Sequence, residues 1–315
     1  MRGLVIAAAL ALGACDAAQV SDIPATPAAM ERNFIASADL PSFFDCLRES
    51  GQTIVAAHRG GPAPGYAENS IEAFARTLSH APALMEIDIA RTRDGVLVLM
   101  HDDTLERTTD GEGPVRDHTL AELQALRLED ENGRALDARI PTFRQALDWA
   151  AGRTVLELDV KRGVSYEDVL AEVRAAGAMD RVIFITYSDD AAVRVHNLAP
   201  EMMLSVSIDD PGDLTRLERR GVDLTRVLAW TGTEEPSAAL NIALAHRGVE
   251  AMFGTLGNPN YSWDGRFARE GDEYAAFAET GLALIATDRP VEAARDLDAN
   301  DGVDGVGALQ CAVSP

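Results

Sequence analysis

Nine short runs rich in β-branched and other apolar residues, most of them separated by stretches of helical period, set the tightest limit on how this chain can fold. They are Thr53–Ala57, Leu84–Ile89, Val96–Met100, Thr154–Val160, Arg181–Thr186, Met203–Ile208, Arg226–Trp230, Glu250–Phe253 and Leu282–Ala286. Strand and helix alternating in this way is the pattern of βα units around a parallel sheet. One run breaks the pattern, because only Ala90-Arg91-Thr92-Arg93-Asp94-Gly95 separates the second from the third. A parallel crossover takes a dozen residues or more, whereas Asp-Gly suits a tight hairpin. Val96–Met100 is therefore expected to run antiparallel, as a ribbon that extends the second strand and returns His101 to its carboxyl end. Eight parallel strands remain, the number of a (β/α)8 TIM barrel.

Helices are expected at Asn69–His80, Thr142–Ala151, Tyr166–Ala176, Ala191–Leu198, Leu214–Arg220, Ala238–Arg247, Glu273–Thr280 and Val291–Leu297. Asp102–Ile140, ahead of the second of these, is a long insertion with one short helix near Leu120–Leu126. An insertion on the strand-end face is where a lid or substrate wall would sit.

The amino terminus carries no such pattern. Met-Arg precedes an apolar run from Gly3 to Leu12, then Leu12-Gly13-Ala14-Cys15. About ten apolar residues after one positive charge are too few to span a bilayer and fit a secretory signal. The Leu-Gly-Ala-Cys sequence resembles the bacterial lipobox, which implies residues 1–15 as signal peptide and lipobox, with Cys15 lipidated; a plain signal cleaved nearby is the alternative. Residues 16–40, rich in Ala, Pro, Ser and Asp, are expected to be a tether, and 41–315 one barrel domain. The protein would then be exported, to a bacterial periplasm or cell envelope, and held at the membrane by its lipid. Export would permit Cys46 and Cys311 to pair; two separate buried thiols are the other possibility. With 51 acidic against 28 basic residues, a net charge of -23 argues against nucleic acid as a partner and obliges any anionic substrate to be held by local cations.

Chemistry-bearing residues gather at the expected strand ends: His58-Arg59 after the first, Glu86 and Asp88 late in the second, His101 after the ribbon, and Glu157, Asp159 and Lys161 in the next. In such a barrel the carboxyl ends of the strands converge on one face. Glu86 and Asp88, two apart on a strand, point the same way, and two carboxylates there repel unless a cation lies between them. A third carboxylate would complete an oxygen-rich site of the Ca2+ or Mg2+ type; Asp159 is the expected third ligand, with Glu157 the alternative. Imidazoles that titrate near neutrality suit His58 and His101 to acid/base work, and Arg59 and Lys161 are the cations expected beside a phosphate. Asn69 is read as a helix N-cap, with a pocket role as the other possibility; Trp230 either stacks on a ligand or plugs the barrel mouth. Asp288-Arg289 is expected to close the last βα turn as an ion pair.

His58-Arg59-Gly60, Glu68-Asn69-Ser70, Glu86-Ile87-Asp88, Thr92-Arg93-Asp94-Gly95, His101-Asp102, Arg107-Thr108-Thr109-Asp110-Gly111, Asp159-Val160-Lys161 and Thr287-Asp288-Arg289-Pro290 together resemble the glycerophosphodiester phosphodiesterases, relatives of the phosphatidylinositol-specific phospholipases C. The resemblance implies the barrel, one divalent cation (Ca2+ or Mg2+), and hydrolysis of glycerophosphodiesters to an alcohol and glycerol 3-phosphate. It assigns His58 and His101 as acid and base, Glu86, Asp88 and Asp159 as metal ligands, and Arg59 and Lys161 as phosphate binders. Many members carry Glu where this chain has Asp159, and the usual Trp-Thr-Val-Asn segment is replaced by Trp230-Thr231-Gly232. Two other readings stand beside it. One is a phospholipase acting on intact lipids, which would need an apolar rim drawn from Phe253, Leu256, Tyr261, Trp263 and Phe267; the other is a silent phosphate-binding barrel.

Overall fold

The computed structural model describes residues 33, 35–36, 39–300 and 310–313. The leader, Cys15 and nearly all of the tether lie outside the described residues. Strands are β1 (Ile35–Ala36), β2 (Ile54–Ala57), β3 (Ala83–Arg91), β4 (Leu97–Leu99), β5 (Leu156–Val160), β6 (Val182–Thr186), β7 (Met203–Ser207), β8 (Val227–Trp230), β9 (Glu250–Gly254), β10 (Leu282–Thr287) and β11 (Ala312–Val313). Helices are α1 (Leu40–Ser50), α2 (Ile71–His80), α3 (Leu120–Ala125), α4 (Phe143–Ala150), α5 (Tyr166–Ala175), α6 (Asp189–Leu198), α7 (Pro211–Arg219), α8 (Ala238–Ala245), α9 (Trp263–Glu270), α10 (Tyr274–Ala278) and α11 (Pro290–Asn300).

Strands β2, β10, β9, β8, β7, β6, β5 and β3 are hydrogen-bonded in that order, and β2 pairs back onto β3, closing a parallel (β/α)8 barrel. β4 lies antiparallel on the outer half of β3, with Ile89 opposite Leu99 and Arg91 opposite Leu97, the hairpin that the six-residue spacing demanded. Its turn uses Gly95 at φ 87°, a backbone conformation that only glycine adopts without strain. Helices start where side chains can hold their first amides: Ser70, Thr142, Ser165 and Ser188 each accept an N–H three residues on.

Among the described residues, apolar side chains form three cores. Outward-facing residues of the strands, such as Val55, Met85, Ile87, Leu158 and Phe253, pack under the helices. Inward-facing ones, such as Ile54, Leu84, Ile183, Met203, Leu228 and Leu284, fill the barrel near its amino end. The insertion is folded over a core of its own, including Val98, Leu105, Val115, Leu123 and Ile140.

Helix α1 was not expected from the sequence. It begins at Leu40, the last residue of the expected tether, and Asp39 caps it. Its spacing Leu40, Phe43, Phe44, Leu47 makes one apolar stripe, and all four are buried against the inward core. Burying each such side chain is worth about 1.5–3 kcal/mol, which makes α1 the floor of the barrel. Arg48 anchors it to Glu250 at the start of β9, and Cys46 is disulfide-bonded to Cys311, with Cα atoms 5.6 Å apart. The short β1–β11 pair lies beside this link in the chain, joining the two ends of the described structure.

Candidate active site

The register between β3 and β5 sets Glu86 opposite Glu157 and Asp88 opposite Asp159, so four carboxylates form two rungs across neighbouring strands. Oxygens of Glu86, Asp88 and Asp159 lie within 4.8 Å of one another, and all three residues are buried. This trio is the set expected to hold a cation, with Asp159 rather than Glu157 as its third member. Burial, together with the charge of Asp88, pushes Glu86 well above its ordinary value, and the Arg59 N–H at 2.7 Å only partly opposes this. Burial would raise Asp88 as well, yet Lys161, His101 and Asn69 hold it below the usual carboxylate range. Three buried oxygen donors with more negative charge than their surroundings balance fit a hard divalent cation.

Arg59 and Lys161 both turn toward carboxylates. The Lys161 ammonium stands 2.6 Å from Asp88 and 2.5 Å from Asp159, and the Arg59 guanidinium pairs with Glu68 at 3.1 Å and approaches Asp88 at 3.7 Å. Burial would lower Lys161, but Asp88 and Asp159 keep it raised, hence charged. The loop that carries Arg59 is strained. Arg59 itself has φ 50° and is followed by two left-handed glycines. A Cβ on Gly60 would come within 2.0 Å of the Phe74 ring, so this turn can be made only here by glycine. The strained turn aims the Arg59 N–H at Glu86.

Each histidine is held by an aspartate through Nδ1. His58 meets Asp288 at 2.7 Å and His101 meets Asp102 at 2.6 Å, which leaves Nε2 of each ring as the edge available to a substrate. His58 lines the cavity that also exposes Glu86 and Asp159, while His101 lies close enough to Asp88 to stabilise its charge. Neither ring is sealed in apolar packing, their side chains being 19% and 33% exposed.

The supports behind these aspartates were only partly foreseen. Asp288 and Arg289 do not pair with each other: Arg289 goes to Asp272, and Asp288 takes His58 on one oxygen and the Gly257 N–H, at 2.9 Å, on the other. The Asp288 N–H is in turn held by buried Asp264 at 2.7 Å. On the other side Arg107 grips Asp102 (2.6 and 3.0 Å) and Glu68 (2.8 Å to each oxygen), and its hydrogen bond is the main reason Asp102 lies far below its ordinary value. Asn69 is not the N-cap; Ser70 is. Asn69 instead sits at φ 55°, buried, donating to Asp88 at 2.6 Å and accepting the Asp88 N–H at 3.0 Å. Its side chain clamps a carboxylate of the trio, a duty that a helix-start motif hides. Trp230 is half-buried and walls the cavity against Gly254.

Two recesses open from this face. The inner one, about 160 Å3, descends past Glu157, Ser205 and Trp230; the outer one, about 580 Å3, is a groove beside Leu256, Tyr261 and Arg266. Of the residues that could make an apolar rim, Phe253 and Phe267 are buried and Tyr261 alone is strongly exposed.

The closed (β/α)8 barrel brings a buried acidic trio that could hold a metal ion and two aspartate-tethered imidazoles to the carboxyl ends of its strands, the face on which such barrels carry their active sites. Comparison with known proteins gives the family. The sequence model of the glycerophosphoryl diester phosphodiesterase family matches residues 58–290, and the chain belongs to that family. A glycerophosphodiester phosphodiesterase of Caldanaerobacter subterraneus is 30% identical over 162 residues, 49% of this chain and 66% of that protein. One of Bacillus subtilis is 28% identical over 176 residues, 50% of this chain and 59% of its own length. The match therefore spans less than two thirds of these two relatives. Among solved structures, a glycerophosphoryl diester phosphodiesterase of Parabacteroides distasonis superposes with a TM-score of 0.75 at 29% identity, covering 90% of this chain and 99% of that one. A phosphodiesterase of Oleispira antarctica, solved in complex with the product sn-glycerol-3-phosphate, shares the fold with a TM-score of 0.61 at 22% identity, covering 80% of this chain and 99% of its own.

Proposed function

We propose that this protein hydrolyses glycerophosphodiesters to an alcohol and glycerol 3-phosphate, with His58 and His101 exchanging protons at the two oxygens of the scissile phosphodiester. The observation that carries the reading is the pair of imidazoles, each oriented through Nδ1 by its own aspartate, beside the trio Glu86, Asp88 and Asp159. One ring takes the proton from the attacking oxygen, and the other gives one to the departing alkoxide. Holding Nδ1 fixes the tautomer and aims Nε2, so the proton positions are set before substrate arrives. Glu86, Asp88 and Asp159 would hold one divalent cation, Ca2+ or Mg2+, and when bound it supplies Lewis-acid stabilisation of the charge that grows on phosphate. Lys161, charged and within reach of the trio, and Arg59 add positive charge on the phosphate side.

The product complex of the Oleispira relative supports glycerol 3-phosphate as the retained half of the substrate. The outer groove beside Tyr261 and Arg266 has room for the leaving alcohol. Action on intact lipids is less well supported, since Tyr261 is the one strongly exposed side chain of the five that could form an apolar rim. We further read the protein as exported, in agreement with the Cys46–Cys311 disulfide, and as tethered to a membrane through lipidated Cys15. No helix among the described residues is long and apolar enough to cross a bilayer.

Incubating the purified protein with glycerophosphocholine and Ca2+ or Mg2+, with and without EDTA, tests the reading. Metal-dependent release of glycerol 3-phosphate is expected; no release with either ion overturns it.

A further inference from the structure

Asp264 is a buried acid that the proton transfers above do not use. It stands near the start of α9, 3% exposed, and burial raises it above its ordinary value. Burying a carboxylate is costly unless hydrogen bonds replace its hydration. Here the donors come from two other parts of the chain. One oxygen accepts the hydroxyl of Tyr274, on α10, at 2.8 Å and that of Thr287, at the end of β10, at 2.7 Å. The other accepts the Asp288 N–H at 2.7 Å.

These donors are not equivalent. A hydroxyl rotates and can accept as well as give, whereas a main-chain N–H points one way and only gives. The Asp288 amide is therefore the group in this cluster that needs an acceptor at this spot. Asp264 also seats the loop on the other side of Asp288. Its own N–H donates to the Thr255 carbonyl at 2.9 Å, and the Thr255 N–H donates to the Ala286 carbonyl at 2.8 Å. Two residues further along that loop is Gly257, whose N–H holds the second oxygen of Asp288. One residue thus fixes both the main chain of Asp288 and the loop that orients its carboxyl group. Behind it, Tyr274 is fully buried, and its oxygen lies 3.4 Å from the Arg289 guanidinium, which is pinned to Asp272.

We propose that Asp264 is a positioning residue for His58, holding Asp288 so that its carboxyl group meets Nδ1 and sets the tautomer and aim of the ring. The path runs from the Asp264 carboxylate to the Asp288 N–H, and from the Asp288 carboxylate to His58. For its effect on turnover the inference rests on the phosphodiesterase reading; for its effect on the ring it rests on geometry alone. A misplacement of about 1 Å at a reacting group costs about 100-fold in rate.

Three substitutions separate positioning from support of the fold. D264A leaves the 288 amide without its acceptor. D264S keeps a hydroxyl for Tyr274 and Thr287 but is too short to reach the amide. D264N can hold the amide with its oxygen while its NH2 group donates to the two hydroxyls, which turn round. The full chain is loaded with Ca2+ or Mg2+, and kcat is taken per metal site titrated by calorimetry, so that unfolded protein does not enter. D264A and D264S should lower kcat by about 10- to 100-fold with little change in KM, and D264N should stay near wild type. Added to Asp288→Asn, D264A should cost nothing further, because both act on the same ring. In 15N-histidine spectra at alkaline pH, where imidazoles are neutral, the His58 signal is identified by its loss in His58→Ala. It should show a single tautomer, protonated at Nδ1, in wild type and D264N, and a mixture in D264A and D264S.

D264S keeps the test decisive should D264A fail to fold. A single unchanged His58 tautomer in these variants, or native kcat in an active enzyme, overturns the proposal and leaves Asp264 as a support of the fold. So does a D264N enzyme as impaired as D264A, or a double variant in which the two losses multiply. If wild type releases nothing from glycerophosphocholine while the His58 signal responds as expected, the phosphodiesterase reading fails and the positioning role stands.

Discussion

Replacing Asp288 by Asn removes one charge and keeps the shape of the side chain, so it isolates what this residue does for His58. In the native site one carboxyl oxygen takes the His58 Nδ1–H at 2.7 Å and the other takes the Gly257 N–H at 2.9 Å. Asparagine has one accepting oxygen for these two donors. If that oxygen keeps His58, its amino group meets the Gly257 N–H, donor against donor. If it keeps Gly257, the amino group faces Nδ1 and forces the tautomer whose Nε2 carries the proton. The anchor cannot slide away to relieve this, because the Asp264 carboxylate holds the residue 288 N–H at 2.7 Å. Losing one hydrogen bond to a charged acceptor costs about 1.5–3 kcal/mol. At 1.36 kcal/mol per decade this lowers kcat by about 10- to 100-fold. Steady-state kinetics on glycerophosphocholine at saturating metal, with thermal unfolding as the control for folding, should show that fall in kcat with little change in KM and a Tm lowered by only a few degrees. An Asp288→Asn enzyme with native kcat would refute the claim that this aspartate orients a working imidazole.

Other outcomes follow from the same geometry. His58→Ala or His101→Ala should each cut kcat by about 10²- to 10⁴-fold while metal binding, measured by calorimetry, persists; loss of metal binding instead would make that ring a ligand. Asp88→Asn should weaken metal affinity, since it takes a charge from the trio, and titration of the ion against the variant checks it. Arg107→Ala should lower activity and destabilise the fold most above pH 4. The reason is that Asp102 is held below its ordinary 3.8 chiefly by Arg107, so its stabilisation is complete above that value and is lost as pH falls through the lowered one. The gap in Tm between wild type and variant should accordingly close on acidification. Reducing the Cys46–Cys311 bond should lower stability by about 2–5 kcal/mol, measured by denaturant unfolding with and without reductant.

The barrel could be read from the sequence because its parts obey short-range rules. A six-residue spacing cannot make a parallel crossover, and period two places Glu86 and Asp88 on one face whatever surrounds them. Glu157 and Asp159 follow the same period, and only the register of β5 on β3 separates them into an inner and an outer rung. That register is a long-range property with no local signature. Asn69 was hidden by a competing local signal, since Asn, Ser and Thr before an apolar run all look like caps, and its left-handed φ arises from the fold around it. Asp288 sits beside an arginine in the chain, which suggested an ion pair; its partner is 230 residues away. Helix α1 was legible in principle from its Leu-Phe-Phe-Leu spacing, but lay across the boundary drawn for the tether.

The positions of one ion and one phosphate decide what this site does. A crystal structure with Ca2+ and sn-glycerol 3-phosphate should place the ion on Glu86, Asp88 and Asp159 at about 2.3–2.6 Å, with the phosphate between the Nε2 atoms of His58 and His101. An ion held by other side chains, or a phosphate out of reach of either ring, would contradict it.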